Sequence, residues 1–328
     1  MNKEIKELNS KAEKFAEKLT KVHSEINKVI VGQEIVIEKL LIALISNGHV
    51  LVEGVPGLAK TLTIKTLSEC LDSNFVRLQF TPDLLPADIT GTKIFNNKDN
   101  SFKTMKGPIF TNFILADEIN RAPPKVQSAL LEAMQERQVS IQGDTILLPE
   151  PFMVLATQNP IESEGTYKLP EAQVDRFMFK VLMTYPSKED EVEIIERFTE
   201  GIKISVSKNL TVKQIIEMQK FNQEIYADKK IKEYVAEIVD ATRHPEKYNL
   251  NINEYLEYGA SPRASLWLIL ASKAHAMING RGYVKPEDVK AIAHDVLRHR
   301  VLVTYEAEAE QKTSDDIITE ILDTIKVP

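Results

Sequence analysis

The sequence predicts an α/β protein, with a mostly parallel sheet followed by an all-helical domain. Three observations carry that reading. Apolar runs of strand length alternate with amphipathic helical stretches as far as about Pro186, the pattern of a parallel sheet. Two of the runs, "TNFILADE" and "PFMVLATQ", are nearly unbroken in apolar residues, as expected of strands buried on both faces. Beyond Pro186 the periodicity is helical throughout.

Size and charge are consistent with this. At 328 residues, 43% hydrophobic and 27% charged, the composition is that of a soluble globular chain. Single cores stop growing near about 250–300 residues, which predicts two packed domains. The net charge of −7 argues against a bulk nucleic-acid binder, although a local basic patch remains compatible with it. Cys70 is the single cysteine, so no intrachain disulfide forms and a reducing compartment follows. With Leu67 and Leu71 near it on one helix, it reads as a core residue. No apolar stretch approaches the roughly 18 residues of a membrane span. "MNKEIKELNSKAEKFAEKL" lacks the apolar region of a signal peptide, and the protein is expected in the cytoplasm.

In chain order, residues 1–30 read as one helix. Its apolar seam of Leu8, Ala12, Phe15, Leu19, Val22, Ile26 and Val29 fits docking on its own domain better than a short coiled coil. Ile35, Leu40, Leu41 and Leu44 mark a second helix that "SNG" ends. Residues 31–186 form the α/β domain. Within it, "HVLVE" is a strand, "KTLTIKTLSECL" a helix and "FVRLQF" a strand. "TNFILADE" is a strand, "PPKVQSALLEAMQE" a helix, "PFMVLATQ" a strand, and "VDRFMFKVLM" leads into the last one. Two stretches break the alternation, at about residues 92–105 and 138–149. The first turns at "NNKDN" and the second at "QGD", both hairpin signals. Residues 187–328 form the helical domain. Ser187 caps an acidic first turn, and Ser261 caps a helix that Pro262 opens and Gly280 closes. His294 and His299 read as cations near a helix end. Phe177 and Trp267 read as core.

The chemistry concentrates behind the first strand. "GVPGLAKT" (Gly54 to Thr61) supplies what phosphate binding needs, namely a strand exit, backbone N–H groups able to converge, and a helix N-terminus. Gly54 allows the exit and Gly57 close approach. Lys60 reaches β/γ-phosphates, and Thr61 offers its hydroxyl to Mg²⁺. Ala59 stands where the common pattern has Gly. It forbids only positive φ, so it is harmless if the position is helical. Asp117 and Glu118 end a buried strand 57 residues beyond Lys60. There Asp117 would hold Mg²⁺ through water and Glu118 would polarise the attacking water. Asn159 ends another buried strand, where it could orient that water, although an Asn-Pro turn alone accounts for it.

Five blocks together resemble the MoxR family of AAA+ ATPases: "VEGVPGLAKT", "QFTPDLLPADITG", "LADEINRAPPKVQSALLEAMQE", "ATQNPIESEGTYKLPEAQVDRF" and "SPRASLWL". The likeness covers roughly residues 30–300. Ala before the Lys is usual in that family, whereas Lys168 stands where Pro is expected. The resemblance implies the AAA+ three-layer α/β/α domain with a helical lid, and ATP and Mg²⁺ as cofactors. It places Val31, Gly32 and Gln33 against adenine and ribose. Gly54, Val55, Pro56, Gly57, Leu58, Ala59, Lys60, Thr61 and Leu62 form the phosphate loop and its helix start. Asn159 becomes the first sensor, and Arg176 the finger inserted into a neighbour's site. Arg263 becomes the second sensor, with Arg121 also facing a neighbour. The two hairpins match the insertions of the helix-2-insert branch. A homo-oligomeric ring, a hexamer, is implied, as is a partner with a von Willebrand factor A domain and a client being matured or loaded with metal. Two rivals stand beside this reading. A DNA-associated motor is disfavoured by the acidic balance, although Lys93, Lys98, Lys103 and Lys106 flank the first hairpin. An assembly switch with little turnover is disfavoured by the presence of both Glu118 and Asn159.

Overall fold

In the computed structural model, which describes residues 3–55, 57–98, 100–159, 165–199 and 204–328, the buried apolar runs form one five-stranded parallel sheet. The chain opens with helices α1 (Lys3–Asn27) and α2 (Glu34–Ile45), strand β1 (Val50–Glu53), helix α3 (Lys60–Cys70) and strand β2 (Phe75–Gln79). A short helix α4 (Pro86–Thr90) leads to the hairpin β3 (Gly91–Asn96) and β4 (Ser101–Lys106), and then to β5 (Phe113–Asp117) and α5 (Pro124–Glu136). The second hairpin, β6 (Gln138–Ile141) and β7 (Asp144–Leu147), precedes β8 (Met153–Gln158), α6 (Glu171–Val174) and β9 (Phe179–Leu182). Helices α7 (Lys188–Thr199), α8 (Val212–Glu224), α9 (Lys229–Ala241), α10 (Pro262–Ile278), α11 (Pro286–Leu297) and α12 (Tyr305–Ala309) follow. The last is α13 (Ser314–Thr324), and two short strands, β10 (Leu256–Tyr258) and β11 (Leu302–Val303), pair antiparallel within this part. That pair departs from the expectation of a wholly helical second half.

The sheet order is β2-β5-β8-β1-β9. Alternate residues of each inner strand enter different cores, because strand side chains alternate between faces. Val50, Val52, Phe113, Leu115, Met153 and Leu155 join α1, α2, α3 and the later helices. Leu51, Ile114, Ala116, Val154 and Ala156 join α5 and the second hairpin. Ala12, Phe15, Leu19, Val22 and Ile26 of the α1 seam are buried in the first core, with the Phe15 ring tilted 5.3 Å from that of Phe221 of α8. Lys39 of α2 reaches α11, bonding the Ala291 carbonyl at 2.6 Å and pairing with Asp295 at 3.2 Å. Cys70 is buried, and burial first of all pushes its thiol up to about 12, which leaves it an inert core residue.

Several local expectations change. Ile35 is exposed, and Val36 and Ile37 carry the buried face of α2 instead. Ser187 does cap α7, exchanging hydrogen bonds with Asp190, whereas the Ser261 hydroxyl caps nothing in α10. His299 is no surface cation. It is buried, donates to the Phe177 carbonyl at 3.1 Å, and is held well below its ordinary pKa by that burial and then by Arg300. His294 instead faces Asp315 at 3.3 Å. The two hairpins are joined: Lys93 pairs with Asp144 at 2.8 Å, and the Thr104 hydroxyl bonds the same carboxylate at 3.2 Å.

Candidate nucleotide site

From β1 the chain crosses to β2 at the far edge, works back through β5 to β8, and then passes over β1 to β9. Connections therefore leave β1 and β8 in opposite directions, which opens a crevice between their carboxyl ends. Ligands of open parallel sheets bind at such switch points. The loop after β1 and Asn159 after β8 flank this crevice, with the Gly54 amide bonding the Gln158 carbonyl at 3.4 Å. Asn159 itself is buried.

The loop runs from Gly54 to the start of α3. Gly57 has φ +89, and a side chain there would meet nothing within 4 Å, so backbone conformation alone demands glycine. The helical conformation that would make Ala59 harmless is not the one it adopts. Its φ of 57 and ψ of 21 put it in the left-handed region, where an L-residue pays roughly 1 kcal/mol or more. Pro56 lies outside the described residues. Val55 and Leu58 flank it, and Leu58 is buried. Lys60 heads α3, and its ammonium bonds the Gly54 carbonyl, drawing it across the mouth of the loop. Burial lowers the Lys60 pKa, while Asp117, Glu118 and Glu53 act the other way. The lysine therefore feels both carboxylates, as a phosphate-binding cation beside a metal site would.

The two acids sit one strand further off than adjacency to the loop would place them, because β8 lies between β5 and β1. Thr157 of β8 bridges the gap. Its buried hydroxyl donates to Asp117 Oδ1 at 2.7 Å and accepts the Glu118 amide at 2.9 Å. Arg77 of β2 donates to Asp117 Oδ2 through Nε at 3.0 Å and Nη2 at 2.7 Å. Glu118 also has positive φ, +55, and such strain gathers at functional sites. Its Oε2 accepts from Gln79 at 2.8 Å and from Arg121 at 3.0 Å. Arg121, expected to face a neighbour, thus pairs with Glu118 of its own chain. Thr157, Arg77 and Gln79 were not singled out from the sequence. The alternation in "FVRLQ" does put Arg77 and Gln79 on one face, but nothing marks Thr157.

Beside the loop lies an apolar pocket of about 120 Å³. Val31, Gln33, Leu58, Ala59 and Leu62 line one side, and Pro186, Ile194 and Phe198 the other. Gly32 has φ +71, and a Cβ there would meet the Asp190 carboxylate of α7 at 2.7 Å. The Gln33 amide bonds the Thr184 carbonyl at 3.2 Å. Of the expected residues, Val31, Gly32, Gln33, Leu58, Ala59 and Leu62 therefore meet a wall formed by α7 that the sequence reading missed. The spacing of Ile194 and Phe198, four apart on a helix, was its available signal.

The donor set fits a hard divalent cation, with the Thr61 hydroxyl at the start of α3 and the Asp117 carboxylate. Among the described residues no group of three or more His, Cys, Asp or Glu could hold a metal.

Arg176 and Arg263 are elsewhere. Arg176 precedes β9, whose Phe179 is level with Val50 and whose Leu182 is level with Glu53. The length of β1, about 10 Å, thus separates its end of the sheet from the loop. Arg176 and Arg263 share a pocket with Asn47, His49, Arg137 and Trp267. Trp267 is partly buried there, and Phe177 is fully buried. Arg263 Nη1 pairs with Asp175 at 2.7 Å. Burial first and then Arg137 hold His49 well below its ordinary pKa.

Residues 49–179 match the ATPase family associated with various cellular activities (AAA), and residues 249–321 match the AAA lid domain. The chain is 48% identical over 306 residues to Chaperone MoxR1 of Mycobacterium tuberculosis, covering 93% of this chain and 81% of that protein. It is 29% identical to Protein MoxR of Methylorubrum extorquens over 93% of both. The crystal structure of a candidate ATPase from Cytophaga hutchinsonii superposes with TM-score 0.92 at 47% identity, covering all of both chains.

Proposed function

Because this chain belongs to the MoxR family of AAA+ ATPases, we propose that it hydrolyses ATP in sites shared between subunits of a homo-oligomeric ring and uses the cycle to remodel a client protein. Adenine occupies the apolar pocket between Val31–Gln33 and α7. The phosphates follow the Gly54–Thr61 loop into the crevice between β1 and β8, where Lys60 leaves the Gly54 carbonyl for the β/γ-phosphates. Thr61 and Asp117 would hold Mg²⁺, which would supply positive charge to offset that of the phosphates. Glu118 polarises the attacking water, and Asn159 at the end of β8 orients it. Thr157 fixes both acids against the crevice, and Gln79 and Arg121 set where the Glu118 carboxylate rests.

The observation that carries the shared-site reading is the placement of Arg176 and Arg263. Both stand at the amino end of the strands, about the length of β1 away from their own phosphate loop. A head-to-tail ring brings that edge onto a neighbour's loop. An arginine supplied this way is worth about 10³–10⁵ in rate, so the isolated subunit is nearly inactive. The units carrying this cycle are the docked N-terminal helix (1–30), the α/β domain (31–186) and the helical lid (187–328). The joined hairpins move with the nucleotide state and deliver its force. Among the described residues no helix is long and apolar enough to cross a membrane, and the machine works in the cytoplasm. A hexamer, a partner with a von Willebrand factor A domain, and metal insertion or complex maturation as the outcome complete the proposal. The test is turnover per subunit against protein concentration. It is expected to rise steeply through assembly in the wild type, and a value unchanged by dilution rejects shared sites.

A further inference from the structure

The residue before Arg176 is held by more groups than a strand-edge carboxylate needs. Asp175 Oδ1 accepts from Arg300 Nε at 2.7 Å, Oδ2 accepts from Arg263 Nη1 at 2.7 Å, and the Ser261 hydroxyl lies 3.1 Å from both oxygens. Ser261 and Arg263 open α10, so the carboxylate also sits at that helix's positive end. This explains why Ser261 leaves its own helix uncapped.

The two arginines differ in kind. Arg300 is buried, and beyond Asp175 Oδ1 it bonds the carbonyls of Asp175 at 2.8 Å, Phe177 at 2.6 Å and Met178 at 3.2 Å. Among the described residues Asp175 is the carboxylate paired with Arg300, and a buried guanidinium does not give up its counter-charge cheaply, so Arg300 is the permanent partner. The Arg263 side chain is 39% exposed and, among the described residues, its ion pair is the one with Asp175. It can leave, and Asp175 stays neutralised by Arg300 when it does.

We propose that Asp175 is a positioning residue that competes with the neighbouring subunit's nucleotide for Arg263. This rests on the shared-site reading above. Before the neighbour binds ATP, Asp175 holds Arg263 beside Arg176. When polyphosphate arrives, Arg263 transfers to it and Asp175 remains on Arg300. The lid, through α10, is thereby released from the segment that carries the finger.

The measurement is equilibrium binding of Mg²⁺ and a non-hydrolysable ATP analogue to the full chain at assembling concentration. Arg263→Ala is expected to weaken binding. Asp175→Asn removes the charged competitor and is expected to tighten binding about threefold to tenfold, the scale of one partly buried ion pair. In the Arg263→Ala background, Asp175→Asn is expected to change nothing. If Arg263→Ala binds like wild type, the shared-site reading itself fails at this residue. If Arg263→Ala weakens binding but Asp175→Asn does not tighten it, or shifts it equally in both backgrounds, the competition is overturned and the shared-site reading stands.

Asp175→Asn leaves Arg300 without a charge partner, so a second readout guards against its failing to fold. Trp267, the single tryptophan, lines the same pocket as Arg263 one helical turn away. The analogue is expected to change its emission in wild type only at assembling concentration, and not in Arg263→Ala. An equal change in Arg263→Ala, or in dilute subunits, overturns the transfer.

Discussion

Replacing Ala59 with glycine tests the geometry of the phosphate loop at a single methyl group. Ala59 has φ 57 and ψ 21, a conformation that costs an L-residue about 1 kcal/mol and glycine almost nothing. Against that, glycine costs about 0.5–1 kcal/mol through the freer unfolded chain. The two nearly cancel in global stability, and the melting temperature is expected to move by no more than about 2 °C. Nucleotide affinity escapes the unfolded-chain contribution. If loop conformations with Ala59 at negative φ do not bind, glycine raises the competent fraction, and about 1 kcal/mol tightens binding up to about fivefold. Ala59→Val works in the opposite direction. A β-branched residue is a steric outlier at positive φ, and binding is expected to weaken by about tenfold or more. Calorimetric titration with Mg²⁺ and ADP reads both without turnover. Glycine weakening the affinity more than about threefold, or valine binding as well as alanine, refutes the left-handed assignment.

Other consequences can be read with similar economy. Thr157→Val keeps the shape of β8 but removes both hydrogen bonds that fix Asp117 and Glu118. Steady-state kinetics should show kcat falling about 10- to 100-fold, with about 1–3 kcal/mol lost in denaturant melts. Phe198→Ala opens one wall of the apolar pocket and is expected to raise KM for ATP about tenfold with kcat nearly unchanged. Asp288 gives an acid limit. Burial alone would raise its carboxyl, but Arg281, His275 and the Lys285 amide outweigh burial and bring it from 3.8 to about 2. A depressed carboxyl stabilises the fold above its unfolded value, so about 2 kcal/mol is present above about pH 4 and lost as pH falls toward 2. Melts between pH 6 and 2.5 should show that segment of the profile in wild type and not in Asp288→Asn.

The parts of this molecule legible in its sequence are those written in apolar period. β5 and β8 announced themselves as unbroken apolar runs, and the second hairpin by its "QGD" turn, because burial on two faces or one leaves few other residue choices. Asp117 and Glu118 were legible as carboxylates ending an apolar strand. Thr157 was not, since a threonine in a strand is ordinary and its partners lie 40 and 39 residues away in sequence. Sheet order was equally hidden, and with it the fact that β8 separates the acids from the loop. Backbone conformation leaves no mark on a residue that tolerates it poorly, which is why the sequence could say of Ala59 only that it is harmless if helical. The Asp175 cluster draws on residues 86 to 125 positions distant. Its one visible trace, Ser261 before a helix, pointed to a cap that the structure does not form.

Mixing two inactive variants tests the shared site most directly. Glu118→Gln keeps Arg176 but cannot activate water, and Arg176→Ala keeps Glu118 but offers no finger. In an equimolar mixed ring, half the sites carry Glu118 and half of those meet an intact Arg176. About one quarter of wild-type turnover should therefore return from two nearly silent proteins. No recovery from variants that are folded and co-assembled, or wild-type turnover from Arg176→Ala alone, would contradict the account.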